Sequence, residues 1–368
     1  MAYTTIDKPK DHFNIITWTG DGDTASNKTG VGFQPDWTWI KKRTDDVEDH
    51  AAFDSSRGLG GKLLNPNATA VQETAGNNGY ISNFIADGFS IASNGSDAYK
   101  WAYLNESGDT FVAWNWKANG GTTTSVSATG TAHESTMAGT HQANTTAGFS
   151  IVTFNTASED AGDKLITHGL GKIPEWIIVK SLSSGDWYCH HISANDNDSK
   201  YIRINVNNSF SNSGSRNTFD TSNITTTQFA VDHNNIVNDN ESHVAYVFAP
   251  IQGYSKFGSY KGNGNADGPY VYTGFKPAYV WHKDTGSTEQ WQIKDTTRFP
   301  ANPNYYPIQS NSTAVEGNNT NSKMDFLSNG FKVKNNDGSH NTDGSTYVYI
   351  AFAENPLVTS GGVPATAR

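Results

Sequence analysis

A single cysteine, Cys189, stands in 368 residues, so no internal disulfide can form and the fold is not built around an oxidising compartment. Charged residues make up only 17% of the chain, against about 25% in an ordinary globular domain. The net charge is −10 and Lys and Arg form no cluster, which argues against a nucleic-acid surface, because phosphate binding draws its affinity from grouped cations. No run of about 18 apolar residues offers a membrane-spanning helix, and the opening Met1 to Lys8 lacks the apolar core of a signal peptide. Long helical periodicity is missing too, which leaves strands to carry the core.

What the chain does have is aromatic mass and turn chemistry. Ten Trp, sixteen Tyr and eighteen Phe supply far more burial than a disordered chain would. Gly, Asn, Ser and Thr crowd the gaps between short apolar runs, the composition of short strands joined by many turns. One phrase is written three times: Gly32-Phe33-Gln34-Pro35-Asp36-Trp37-Thr38-Trp39-Ile40-Lys41, then Gly171-Lys172-Ile173-Pro174-Glu175-Trp176-Ile177-Ile178-Val179-Lys180, then Gly274-Phe275-Lys276-Pro277-Ala278-Tyr279-Val280-Trp281-His282-Lys283. Counted from each proline, positions +2 and +4 are large and apolar and +6 is lysine. Even offsets share a sheet face, so the phrase predicts one strand, repeated, with Trp37, Trp176 and Tyr279 in the core. Proline can open such a strand because it needs no ladder donor there.

Other signposts recur in the same order. An alternating opening strand appears at Phe13–Trp18, Phe149–Phe154 and Phe257–Tyr260, and a closing strand at Thr110–Trp116, His243–Phe248 and Tyr347–Phe352. Asp54 with Arg57 is echoed by Asp295 with Arg298, whereas the middle copy has His191 and Ala194. The fold class expected is all-β, as three tandem antiparallel β-sandwich repeats: residues 1–118 with an N-terminal arm, 148–252, and 253–368 with an extended C-terminal tail. The stretch 119–147, rich in small polar residues, reads as a flexible or strap-like linker with an r.m.s. span of about 30 Å if it is a coil. The first unit is then expected to sit apart, and the second and third to pack as a pair through Pro250–Lys256.

Chemical motifs fare poorly against plainer readings. Gly20-x-Gly22-x-x-Ala25 matches a dinucleotide fingerprint and follows a strand, but Ser26–Gly30 cannot open a helix and the third unit has a similar turn, so a hairpin turn is expected. His133-Glu134 starts like a zinc-protease motif that then fails at Met137. His190 and His191 are strand neighbours pointing to opposite faces, and so cannot share a metal. The recurring Asp/Arg pairs read as fold-pinning ion pairs, and the acidic stretches 45–49 and 195–198 as solvated turns without a calcium-loop register. Trp101, Tyr103 and Trp187 are the aromatics offered as sugar-stacking platforms. No catalytic residue, cofactor or metal site is assigned.

On the residues Met1–Asp7, Gly32–Lys41, Ala147–Thr153 with His168–Gly171, and Lys256–Tyr260 through Gly268–Phe275, nearly the whole chain resembles a family of β-rich structural proteins of tailed, especially marine, phages, described as tail fibre or virion proteins. The resemblance implies a non-enzymatic virion component, made in the host cytoplasm and assembled with other virion proteins, as a homo-oligomer in the particle. It implies no catalytic or binding residues. Absence of a long coiled-coil or low-complexity shaft points to a compact appendage, adaptor or capsid decoration. A carbohydrate-binding module for a host surface glycan and a glycan-cleaving enzyme are the rivals; the latter needs two carboxylates roughly 5–9.5 Å apart in a cleft, and no pair stands out from the turn acids. For docking, the N-terminal 11 residues, the linker and the tail from Asn355 are the arms available.

Overall fold

The computed structural model describes residues 3–23, 25–44, 48–94, 103–130, 134–156, 162–194, 200–212, 218–232, 236–238 and 240–364. It is essentially all-β, and among the described residues the strand pairs are antiparallel except the one that joins Glu134–Thr136 to Asp163–Thr167. No helix among the described residues is long and apolar enough to cross a membrane.

Three large sheets share one strand order. Opening strand, closing strand, proline-phrase strand and the strand after it lie side by side in each: Phe13–Thr19, Thr110–Trp116, Trp37–Lys42 and Ala51–Asp54; Phe149–Asn155, Ser242–Phe248, Trp176–Ser181 and Trp187–His191; Ser255–Lys261, Thr346–Pro356, Phe275–Asp284 and Gln292–Asp295. Register repeats as well. Trp37 pairs Trp116, Trp176 pairs Phe248 and Tyr279 pairs Phe352; two residues on, Trp39 pairs Trp114, Ile178 pairs Tyr246 and Trp281 pairs Ile350. Pro35 and Pro174 stand just before their strands, whereas Pro277 lies inside a longer one, at a register shift. The opening strand of the third sheet is offset from the expected match: Phe257 pairs Ile350, so it corresponds to Ile15 and Ile151, and Ser255 takes the place of Phe13 and Phe149. A slip of two residues preserves side-chain parity, which is why the sequence pattern conceals it.

Each large sheet is buried on both faces. One face packs on its own small sheet, for example Ile40, Phe53 and Phe111 against Ile81, Phe89 and Ile91. The other face joins a single aromatic core fed by all three large sheets, including Trp37, Trp39, Trp114 and Trp116 from the first, Trp176 and Tyr246 from the second, and Tyr279, Trp281 and Phe352 from the third. Two-sided burial explains why the strand Trp37–Lys42 is buried at every residue. It also corrects the expectation that the first unit sits apart: Trp37 stacks on Tyr246 at 4.2 Å, and Trp39 meets Trp281 edge-on at 5.3 Å. The +6 lysines, Lys41, Lys180 and Lys283, are all buried and donate to backbone carbonyls, Lys41 to Glu48 and Thr313, Lys180 to Ser181, and Lys283 to Asp284 and Ser287.

The stretch read as a flexible or strap-like linker carries three strands. Thr124–Val126 and Gly139–Asn144 extend the second large sheet, and Glu134–Thr136 adds to a small one. Its start is tied to the first sheet. The buried Asp36 carboxylate accepts from the backbone N–H groups of Ala118, Gly120 and Gly121 and from the Ser55 hydroxyl. Gln142 accepts from the N–H of Asn119 and Gly121 and donates to Ser55 and Ser56. Weak apolar periodicity hid this because side-chain carbonyls, not a buried face, hold the segment. The terminal arms offered for docking also make contacts within the chain: the Tyr3 hydroxyl donates to Gly274 O, Thr4 to Gln252 O, and the N–H of Ser360 to Asp7.

Candidate functional site

Chemistry-bearing side chains are mostly consumed by the framework. The recurring Asp/Arg pairs are buried, with Arg57 Nε and Arg298 Nε each 2.5 Å from the partner carboxylate. Each carboxylate reaches across to another sheet: Asp54 Oδ2 accepts from the Tyr246 hydroxyl at 2.8 Å, and Asp295 Oδ2 from the Trp114 indole at 3.1 Å. By register the third member is His191, which pairs Trp176 as Asp54 pairs Trp37, and whose Nε2 lies 3.2 Å from Tyr349 O. The three contacts run first sheet to second, second to third, third to first, closing a ring. The departure of the middle copy has a cause here. At the register position of Trp114 and Tyr246 the third sheet has Ile350, which has no side-chain donor, and the group His191 meets is the Tyr349 carbonyl, an acceptor that a carboxylate could not bond. A second ring runs the opposite way: His50 Nε2 lies 3.2 Å from Gln309 O and Ser312 O, the Trp187 indole donates to Asn65 O and Ala68 O, and the Trp291 indole donates to Arg203 O.

The other candidates resolve similarly. Burial holds His190 down at about 3 and His191 at about 4, so both are neutral at physiological pH, and they face different cores. The Cys189 thiol is buried and pushed up, which makes it a poor nucleophile. Gly20 does not sit in a hairpin as expected. The chain crosses there from a large sheet to a small one, and a Cβ at Gly20 would lie 2.0 Å from Glu106 O, as one at Gly262 would lie 2.1 Å from Thr342 O. No grouping of His, Cys, Asp and Glu among the described residues could hold a metal ion. Two clefts between sheets, one beside Phe13 and Glu354 of about 220 Å³ and one beside Arg57 and His243 of about 200 Å³, are smaller than most ligand pockets.

The sugar-stacking aromatics end in three different places. Trp187 is corrected: it is fully buried in the shared core, with its indole N–H spent in the second ring. Trp101 lies outside the described residues, and so do His133 and most of the acidic stretches 45–49 and 195–198. Tyr103 is half-buried against the first small sheet, its phenol pushed up by burial and then by Asp49, Glu48 and Glu73.

Sequence reasoning missed the exposed aromatic face. On the edge strand Tyr270–Tyr272 of the third small sheet, Val271 points inward while Tyr270 and Tyr272 remain 45% and 48% exposed. Tyr270 covers Gly330, where a Cβ would meet its ring at 3.2 Å. Lys256 Nζ lies 5.3 Å from the Tyr272 ring centre and donates to Tyr272 O at 2.8 Å, and Lys332 pairs with Asp267 at 2.8 Å. Register places Asn27 and Thr29 at these positions in the first small sheet, and Leu165 and Thr167 in the second. The tyrosines therefore belong to no repeated framework. The Tyr-Val-Tyr alternation was a usable signal, obscured because it adjoins the stronger proline phrase.

The chain belongs to a family described as a domain of unknown function, DUF7483, whose model matches residues 8–356. No curated protein and no solved structure matches it.

Proposed function

We propose that this DUF7483 chain is a non-enzymatic structural protein of a tailed-phage virion, an appendage or adaptor built as three tandem antiparallel β-sandwich repeats, 1–118, 148–252 and 253–368, with 119–147 as the strap between the first two. The observation that carries this reading is where repetition falls. Residues that recur in register, Trp37/Trp176/Tyr279 and Asp54/His191/Asp295, are buried and serve to lock the repeats together, while the outward-facing position held by the exposed Asn27, the half-buried Leu165 and the exposed Tyr270 differs between the three. Repetition of a framework without repetition of a site suits a part whose task is shape and surface. Its partners are other virion proteins and further copies of itself, its place is the virion, and an acidic net charge keeps free copies apart until docking. Purified particles should contain the chain in stoichiometric amount, and a particle map should place it at the tail; a position on the head would make it a capsid decoration instead. Particles that keep their composition and infectivity without it would end the proposal.

A second reading, carbohydrate binding at a host surface, is favoured by Tyr270 and Tyr272 alone, flat apolar rings beside Lys256 and Lys332. A glycan array on the wild type and on Tyr270→Ala/Tyr272→Ala separates the two. Binding that disappears in the variant without loss of thermal stability supports a receptor role; no binding in either leaves the tyrosines as a protein contact.

A further inference from the structure

Lys28 is an anomaly in its own sheet. It occupies the inward-facing position of the strand Ala25–Thr29 and is 7% exposed, where the register equivalents are Val271 and Ile166. Its Nζ lies 2.9 Å from Asn105 Oδ1, 3.7 Å from Asp21 Oδ2 and 5.7 Å from the centre of the Trp18 ring. Asn105 is fully buried, and its Nδ2 donates to Asp21 Oδ1 at 2.6 Å. An amine, a carboxamide and a carboxylate thus converge at the edge of the core between the first large sheet and its small sheet.

The third small sheet supplies an internal control. Asn341 stands where Asn105 does and makes the same clamp on the crossing turn: its Nδ2 donates to Asn263 Oδ1 and Asn265 O, and the N–H of Asn263 donates to its Oδ1. The asparagine is therefore framework, explained by the turn it holds. What the first copy adds is an amine in place of Val271 and a carboxylate in place of Asn263, and neither is needed for the clamp. Burying a lysine where a valine serves costs desolvation, and the clamp that holds the turn does not require it.

We infer that Lys28 and Asn105 become joined by an intramolecular isopeptide bond, formed by the folded chain itself with Asp21 as proton relay. The Lys28 ammonium passes a proton to the Asp21 carboxylate, and the freed amine attacks Asn105 Cγ. A C–N bond forms, the bond from Cγ to Nδ2 breaks, and Asp21 returns its proton to the departing nitrogen. With the second proton shed by Nζ, the product is one ammonium ion, and Asp21 ends as it began. No oxidant or other reactant is required. Burial lowers the Lys28 amine, opposed by Asp21, and so favours the nucleophilic form. Asp21 is held below the ordinary carboxylate range, first by the N–H of Asp23. The relay step is thus uphill, and the fixed proximity of the groups must offset it, which makes the bond a slow maturation after folding. The link would close a loop of residues 28–105, which carries the other two strands of the first small sheet, Tyr80–Ile85 and Gly88–Ala92.

Intact mass spectrometry of the denatured full-length protein, freshly purified and after prolonged incubation, tests this. The expected result is a mass lower than the sequence mass by one ammonia, with a branched peptide joining Lys28 to Asn105 in the digest. Lys28→Val and Asp21→Asn copy the third sheet's Val271 and Asn263, so both should fold, and both should restore the full mass. Full sequence mass in the aged wild type overturns the inference. So does an ammonia loss that persists in Lys28→Val, since that would be cyclisation of Asn105 on its own backbone.

Discussion

Removing one hydroxyl, by Tyr246→Phe, probes the ring that closes between the sheets. The phenol is fully buried and donates to Asp54 Oδ2 at 2.8 Å, while the ring itself stacks on Trp37 at 4.2 Å with planes 15° apart. Burial, with Asp54 adding to it, pushes the phenol well above its usual range, so it remains a donor at any working pH. Phenylalanine keeps the stack and deletes only the donor. A hydrogen bond to a charged group contributes about 1.5–3 kcal/mol, and because Asp54 retains its Arg57 partner the lower half, about 2 kcal/mol, is expected. Unfolding entropy near 60 °C scales to roughly 0.8 kcal/mol/K for a chain of this length, so the melting temperature should fall by about 2–4 °C if all three large sheets melt together. Calorimetry gives that number, and a double-mutant cycle with Asp54→Asn isolates the pairwise part. A coupling under about 0.5 kcal/mol, or a wild-type melt that splits into separate transitions with only one of them shifted, would refute a cooperative ring.

Trp176→Ala, which empties a fully buried site beside Trp281 and Trp291, should cost about 3–5 kcal/mol by chemical denaturation; a loss under about 1 kcal/mol would mean the core collapses around the gap. Acid should destabilise the protein. Burial lowers His168, His191 and His243 to about 4 and His340 to about 3, so between about 6.5 and 4 the unfolded chain binds more protons than the folded one and stability falls with pH. A melting temperature flat across that window would contradict the assignment of these histidines as neutral. Asp36→Ala strips the acceptor from three backbone N–H groups, so limited proteolysis should cut near residues 118–122 in the variant and spare that site in the wild type.

Strand identity was legible wherever parity carried it. The proline phrase predicted that Trp37, Trp176 and Tyr279 share a face, and all three are buried. What parity cannot carry was misread. The offset of Phe257 is an even slip, invisible to a period of two. Trp187 looks like any aromatic of an outer strand, and only the convergence of three sheets buries it. The 119–147 stretch is held by Asp36 and Gln142 acting on backbone groups, an interaction with no apolar signature. His191 could be seen to break the Asp/Arg pattern, but its partner, the Tyr349 carbonyl, lies on another sheet and leaves no mark in the sequence. Tyr270 and Tyr272 are readable in principle as an inward valine flanked by two aromatics, but in a chain with so many buried aromatics that pattern does not by itself distinguish an exposed pair.

The two rings of contacts have a consequence for behaviour at low concentration. Three separate chains joined by bonds like Asp54 to Tyr246, His191 to Tyr349 and Asp295 to Trp114 would obey mass action and fall apart on dilution. Within one polypeptide each partner is presented at an effective concentration in the millimolar range, whatever the number of molecules in solution. Such an assembly needs no stoichiometric meeting of equals and persists when only a few copies are made.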